Sequence, residues 1–84
     1  MVEIDPVVEI GLDVSKQLSK NTKMWLRAYS INMEKSPFHF LKGILEMLRR
    51  NQIQLTNDDV EFLRSIADNE EKRIKFLVAV LSGK

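Results

Sequence analysis

Cysteine is absent from the 84 residues, which excludes disulfides, thiolate metal sites and thiol nucleophiles together and fits a reducing, cytoplasmic setting. Glycine occurs only at positions 11, 43 and 83, so neither a phosphate-cradling loop nor a dinucleotide fingerprint can be written in this chain. There is a single histidine, His39, with no second imidazole or thiolate to complete a zinc site. The longest unbroken apolar run, Phe76 to Leu81, has six residues, whereas a membrane-spanning helix needs about 20. The opening Met1-Val2-Glu3-Ile4-Asp5 is acidic and lacks the basic and apolar regions of a secretory leader. Alternating apolar residues are missing too, apart from the brief Gln52-Ile53-Gln54-Leu55, so no strand is expected.

The chain does contain apolar residues at helical spacing throughout. They make up 44% of the sequence, beside 30% charged residues, the balance of a folded domain rather than a disordered segment. A chain of this length buries only about 60 to 65% of its unfolded surface. The core must therefore be dense in large side chains. The expected fold is all-α, one domain over residues 1–84, a compact bundle of four to five short helices near 6–18, 22–34, 37–50, 57–67 and 70–82.

The helix starts carry their own chemistry. Asp5-Pro6 and Ser36-Pro37 each pair a side-chain acceptor for free N–H groups with a proline suited to the first helical position. Thr56 with Asp59 forms a capping box, flanked by Leu55 and Val60 as a hydrophobic staple. Asp68 with Glu71 suggests the last start, Asn51 a left-handed stop and Gly83 the final one. Ser19-Lys20-Asn21-Thr22 are mediocre helix formers, and a break or kink is expected there. Apolar spacing nominates Val14, Leu18, Trp25, Leu41, Leu45, Leu48, Leu63, Ile66, Leu77 and Leu81 for the core. The last helix is apolar over more than half its circumference, which suits a central position or a surface for a partner around Phe76 and Val80.

No catalytic, cofactor-binding or metal-binding residues are expected. Asp58-Asp59-x-Glu61 lacks the pattern of a calcium loop, and it and Glu70-Glu71 read as acids stabilising helix N-termini. His39 reads as solvated, and Trp25 with Tyr29, one turn apart, as core residues rather than a stacking platform for bases. The pair of helices at 57–67 and 70–82 has the spacing of a helix-turn-helix. Its would-be recognition helix, however, opens on two acids that phosphates would repel.

Charge carries the functional signal. Residues 1–15 hold four acids and no bases, residues 16–50 eight bases and two acids, and residues 51–84 five bases and six acids. Lys16, Lys20, Lys23 and Arg27 follow at spacings of four, three and four, one stripe on an unbroken helix, and Lys42, Arg49 and Arg50 extend the basic surface. These seven residues are the candidate partner-binding set. The leading expectation is a non-catalytic helical binding module, an accessory subunit, adaptor or inhibitor docking on a larger protein with an acidic surface. The alternative is direct DNA or RNA binding by the same stripe. No membrane partner is expected, and the last helix offers a surface for a homo-oligomer.

Overall fold

A computed structural model of the chain describes residues 4–83; Met1, Val2 and Glu3 of the acidic opening, and Lys84, lie outside the described residues. Five α-helices follow in order: α1 (Pro6–Gln17), α2 (Lys20–Lys35), α3 (Pro37–Arg49), α4 (Asn57–Ile66) and α5 (Glu70–Ser82). Among the described residues there is no strand, and none of their helices is long and apolar enough to cross a membrane.

Each helix begins where a side chain can take a first-turn N–H. The Asp5 carboxylate accepts from Val7 at 2.9 Å, and Ser36 Oγ accepts from His39. Thr56 and Asp59 exchange reciprocal bonds, Asp59 N to Thr56 Oγ1 at 3.1 Å and Thr56 N to Asp59 Oδ2 at 3.3 Å. The break between α1 and α2 falls at Leu18–Ser19, slightly earlier than the expected 19–22, because Ser19 is itself the cap and its Oγ accepts from Thr22 N. The cap of α5 is Asn69 rather than Asp68. After α3, Asn51 takes the left-handed conformation (φ 57°), and Gln52 N reaches the Met47 carbonyl at 2.9 Å while Asn51 N reaches Leu48. This pair of bonds is a Schellman closure.

The packing is organised by α5. It lies against α1 and α2, and α2 lies against α3, while α4 shares no comparably close backbone approach with any helix. Asp5 meets Lys75, Gly11 faces Phe76 and Ala79, and Ser15 faces Gly83, so α1 and α5 run parallel. Met33 meets Arg73 and Lys23 meets Gly83, so α2 runs antiparallel to α5. A Cβ on Gly11 would stand 2.6 Å from the Ala79 Cβ, and one on Gly43 equally close to Met33 Sδ, so each glycine permits a close helix contact.

The core contains Val14, Leu26, Met33, Phe40, Met47, Leu63, Phe76, Leu77 and Val80, with Phe40 and Phe76 edge to face at 5.6 Å. Val14, Leu18, Leu63, Ile66 and Leu77 are buried as expected, while Leu41, Leu48 and Leu81 are half-buried against the core. Two of the nominated residues lie outside it. Trp25 is 39% exposed, because the break at Leu18–Ser19 resets the helical phase and Thr22, Leu26, Ser30 and Met33 turn inward instead. Leu45 is 63% exposed, because α3 buries the edge carrying Phe40, Gly43, Ile44 and Met47. Phe76 and Val80 are fully buried, so the outward apolar residues of α5 are Ile74 and Val78.

Candidate functional site

The seven basic residues occupy different settings. Lys16 ends α1, whereas Lys20, Lys23 and Arg27 belong to α2, so the stripe crosses the break between the two helices. Lys16, Lys20 and Arg27 are exposed. Lys23 is half-buried and donates to the Gly83 carbonyl at 3.0 Å, fastening the end of α5 to α2. Arg49 and Arg50 both bond Glu46, at 2.6 and 2.9 Å, and together they hold its carboxyl down at about 2. The same contact raises Arg49 above its ordinary value. Lys42 sits 5.9 Å from the centre of the Phe38 ring, within cation–π range.

Two of these residues, Lys42 and Arg49, share α3 with uncovered apolar groups. Phe38, Lys42, Leu45 and Arg49 follow at spacings of four, three and four, one stripe down the helix, and Phe38 is 67% exposed. On the inner side of that stripe, Leu41, Leu45 and Leu48 face Val60 and Leu63 of α4 across an apolar groove of about 320 Å³, with Ile44 and Arg64 also lining it. Arg64 is tied only loosely to Glu61, at 3.4 Å. The groove exists because α3 and α4 do not pack backbone to backbone.

On the opposite side of α3, Trp25 and Tyr29 stack at 5.3 Å with ring planes 10° apart. The indole separates two small hollows, one lined by Asn21, Thr22, Arg50 and Gln52, the other by Tyr29, Lys42, Gly43 and Glu46. His39 is half-buried rather than solvated, edge-on to Phe38 at 5.4 Å, with its Nδ1 enclosed and unpaired.

One buried charge escaped sequence reasoning. Arg73 is 3% exposed and donates from three guanidinium nitrogens to the carbonyls of Met33, Ala67 and Glu34. It follows Lys72 and precedes Ile74 and Lys75 at a helix start rich in acids, so nothing local distinguishes it from a solvated base. No carboxylate pairs with it in this set of bonds. Its counter-charge is the partial negative end of α2 and the carbonyl of Ala67, the residue that caps the end of α4. Arg73 thus belongs to the architecture and leaves the α3 surface as the place where basic and apolar groups converge in the open. No protein-family model, curated protein or solved structure matches this chain.

Proposed function

We propose that the chain is a non-catalytic helical binding module whose α3–α4 groove takes an amphipathic helix of a larger protein, with acidic residues flanking its apolar anchors. One observation carries this reading: α3 presents Phe38 and Leu45, each more than three-fifths exposed, alternating with Lys42 and Arg49. Large apolar groups left in water on a well-packed domain favour an interface. Arg64 lines the groove and Lys42 stands on the adjoining exposed stripe of α3, which favours an acidic over a basic ligand. The groove geometry suits anchors spaced by three and four residues, as in helix-in-groove recognition.

The test is a nitrogen-15 NMR titration of the intact chain with two synthetic amphipathic helices of the same apolar face, one with an acidic and one with a basic polar face. The acidic peptide should shift the amides of Leu41, Leu45, Leu48, Val60 and Leu63, and Leu45→Glu should abolish the effect. Equal response to both peptides, or none, defeats the reading. A second reading rests on the Trp25–Tyr29 stack between Lys42 and Arg50, which offers an unpaired nucleic-acid strand a stacking platform and cations. A single-stranded oligonucleotide in the same titration discriminates it. Shifts centred on Trp25, with an affinity falling steeply in salt, would favour the strand over the helix.

A further inference from the structure

We propose that the outer face of α2 rests on an anionic lipid surface. Besides the stripe on α3, α2 carries a second open row of basic and apolar groups: Lys20, Met24, Arg27, Ile31 and Lys35, at spacings of four, three, four and four. This row lies opposite Thr22, Leu26, Ser30 and Met33, the residues that α2 buries. All five of its members are exposed, Met24 by 59% and Ile31 by 57%.

Folding accounts for Lys35, which stands at the negative end of α2, but not for the rest of the row. No acid occurs between Asp13 and Glu34. Among the described residues no carboxylate pairs with Lys20, Arg27 or Lys35. Lys20 opens a helix that has no acid in its first turn, so its charge opposes the dipole that Asp58, Asp59, Glu70 and Glu71 complement in α4 and α5. Met24 and Ile31 are large aliphatic groups left in water.

The make-up of the row selects its occupant. Three unpaired bases require a negative surface, which excludes a second copy of the same face. A nucleic-acid strand gains from aromatic rings, and those of Trp25 and Tyr29 lie outside this row. A partner helix packs on two adjoining rows of apolar knobs, but the positions one turn on from Met24 and Ile31 are Ala28 and Lys35. An anionic bilayer surface matches all five residues. A helix lying flat brings Met24 and Ile31, two turns and about 10 Å apart, to the same depth at the headgroup boundary. The long stems of Lys20, Arg27 and Lys35 let their charges stay among the phosphates. Such a helix needs neither the length nor the uniform apolarity of a membrane span. The α3–α4 groove takes no part in the contact, so this inference does not depend on the preceding one.

Co-sedimentation of the full chain with large unilamellar vesicles tests this, with phosphatidylcholine alone and with about 30% phosphatidylserine added. The protein should pellet with the anionic vesicles and stay in solution with the neutral ones, and the bound fraction should fall as salt is raised. Lys20→Gln, Arg27→Gln and Lys35→Gln combined should lower partitioning about a hundredfold, since each base near such a surface is worth about fivefold. Met24→Gln with Ile31→Gln should lower it at least about tenfold with no change of charge, because two aliphatic side chains no longer leave water. Leu45→Gln should have no effect. All of these positions are exposed, and the helical spectrum of each variant should match the wild type. Failure of the wild type to pellet, equal binding to both vesicles, or loss of binding with Leu45→Gln overturns the proposal. So does undiminished binding by the Met24, Ile31 variant, which would mean that the bases meet any polyanion and nothing enters the lipid.

Discussion

Arg73 donates its Nε to the carbonyl of Met33 at 3.2 Å, forty positions earlier in the chain, and so seals the end of α2 with a cation drawn from the first turns of α5. The same guanidinium serves Glu34 at 2.9 Å and Ala67 at 2.6 Å, so one side chain ties together the ends of α2 and α4. Arg73→Met keeps most of the apolar stem and strands three carbonyls. It should cost about 2 to 5 kcal/mol in chemical denaturation, the range for buried acceptors that lose a charged donor. Arg73→Lys should recover only part, because an ammonium cannot span three acceptors fixed for a planar fork. Wild-type stability in the Met variant would mean that water replaces the guanidinium.

Gly11→Ala has two opposing effects. In an open helix interior the change gains about 1 kcal/mol from propensity. Here the new Cβ would meet Ala79 Cβ at 2.6 Å and the Phe76 carbonyl oxygen at 2.9 Å, so α1 and α5 must separate. Overpacking of this kind costs about 1 to 3 kcal/mol, and a net loss in melting temperature is expected. Ala79→Gly in the same background should restore part of it. The remainder persists because the Phe76 oxygen is backbone.

Leu45 and Leu77 test the core assignment as a pair. Leu77 is 1% exposed, and its truncation to Ala should cost about 2 to 5 kcal/mol through the cavity it leaves. Leu45→Ala should cost less than about 1 kcal/mol, as surface substitutions usually do. Similar losses for both variants would put Leu45 back inside.

Acid should act on the end of α3. The Glu46 carboxyl, hydrogen-bonded to Arg49 and then Arg50, titrates at about 2 instead of its ordinary 4.5. A depressed folded value means that its contribution is present in full above 4.5 and disappears as pH falls through about 2. The melting-temperature difference between the wild type and Glu46→Gln should therefore shrink across that window. Carbon-13 titration of the carboxyl reads the midpoint directly, and an ordinary value there would mean that the fork does not persist in solution.

Helix ends were legible because caps are local. Asp5, Ser36 and Thr56 each satisfy a donor within three residues, and Asn51 needs only its own tolerance of positive φ. Trp25 and Leu45 were misplaced for a less local reason. An amphipathic stripe specifies a face to within about one residue, or 100° of helix, and α3 carries more apolar groups than one face holds. Which edge is covered depends on where α2 and α4 lie, and that is settled by Gly43 admitting Met33 and by the Leu18–Ser19 break. The basic residues were visible one by one. That Lys23 spends its charge on Gly83 and Arg49 on Glu46, while Lys42 stands over the exposed Phe38 ring, required the tertiary structure. Arg73 was hidden because its partners are carbonyls, which every residue has.

The parallel pairing of α1 with α5 sets a timetable for the ribosome. A helix that ends at Gln17 finds its main neighbour only when the chain has been made through Ser82. Until then α2 and α3, joined through Ser36 alone, can close their local hairpin, while Val7, Ile10 and Val14 have no α5 to rest on. Contacts of such large separation are slow to form and leave apolar surface open in the meantime. The domain therefore cannot be completed during synthesis from its front end. Cutting the protein back to residue 69 removes the main neighbour of α1 and should release that helix rather than merely trim an end.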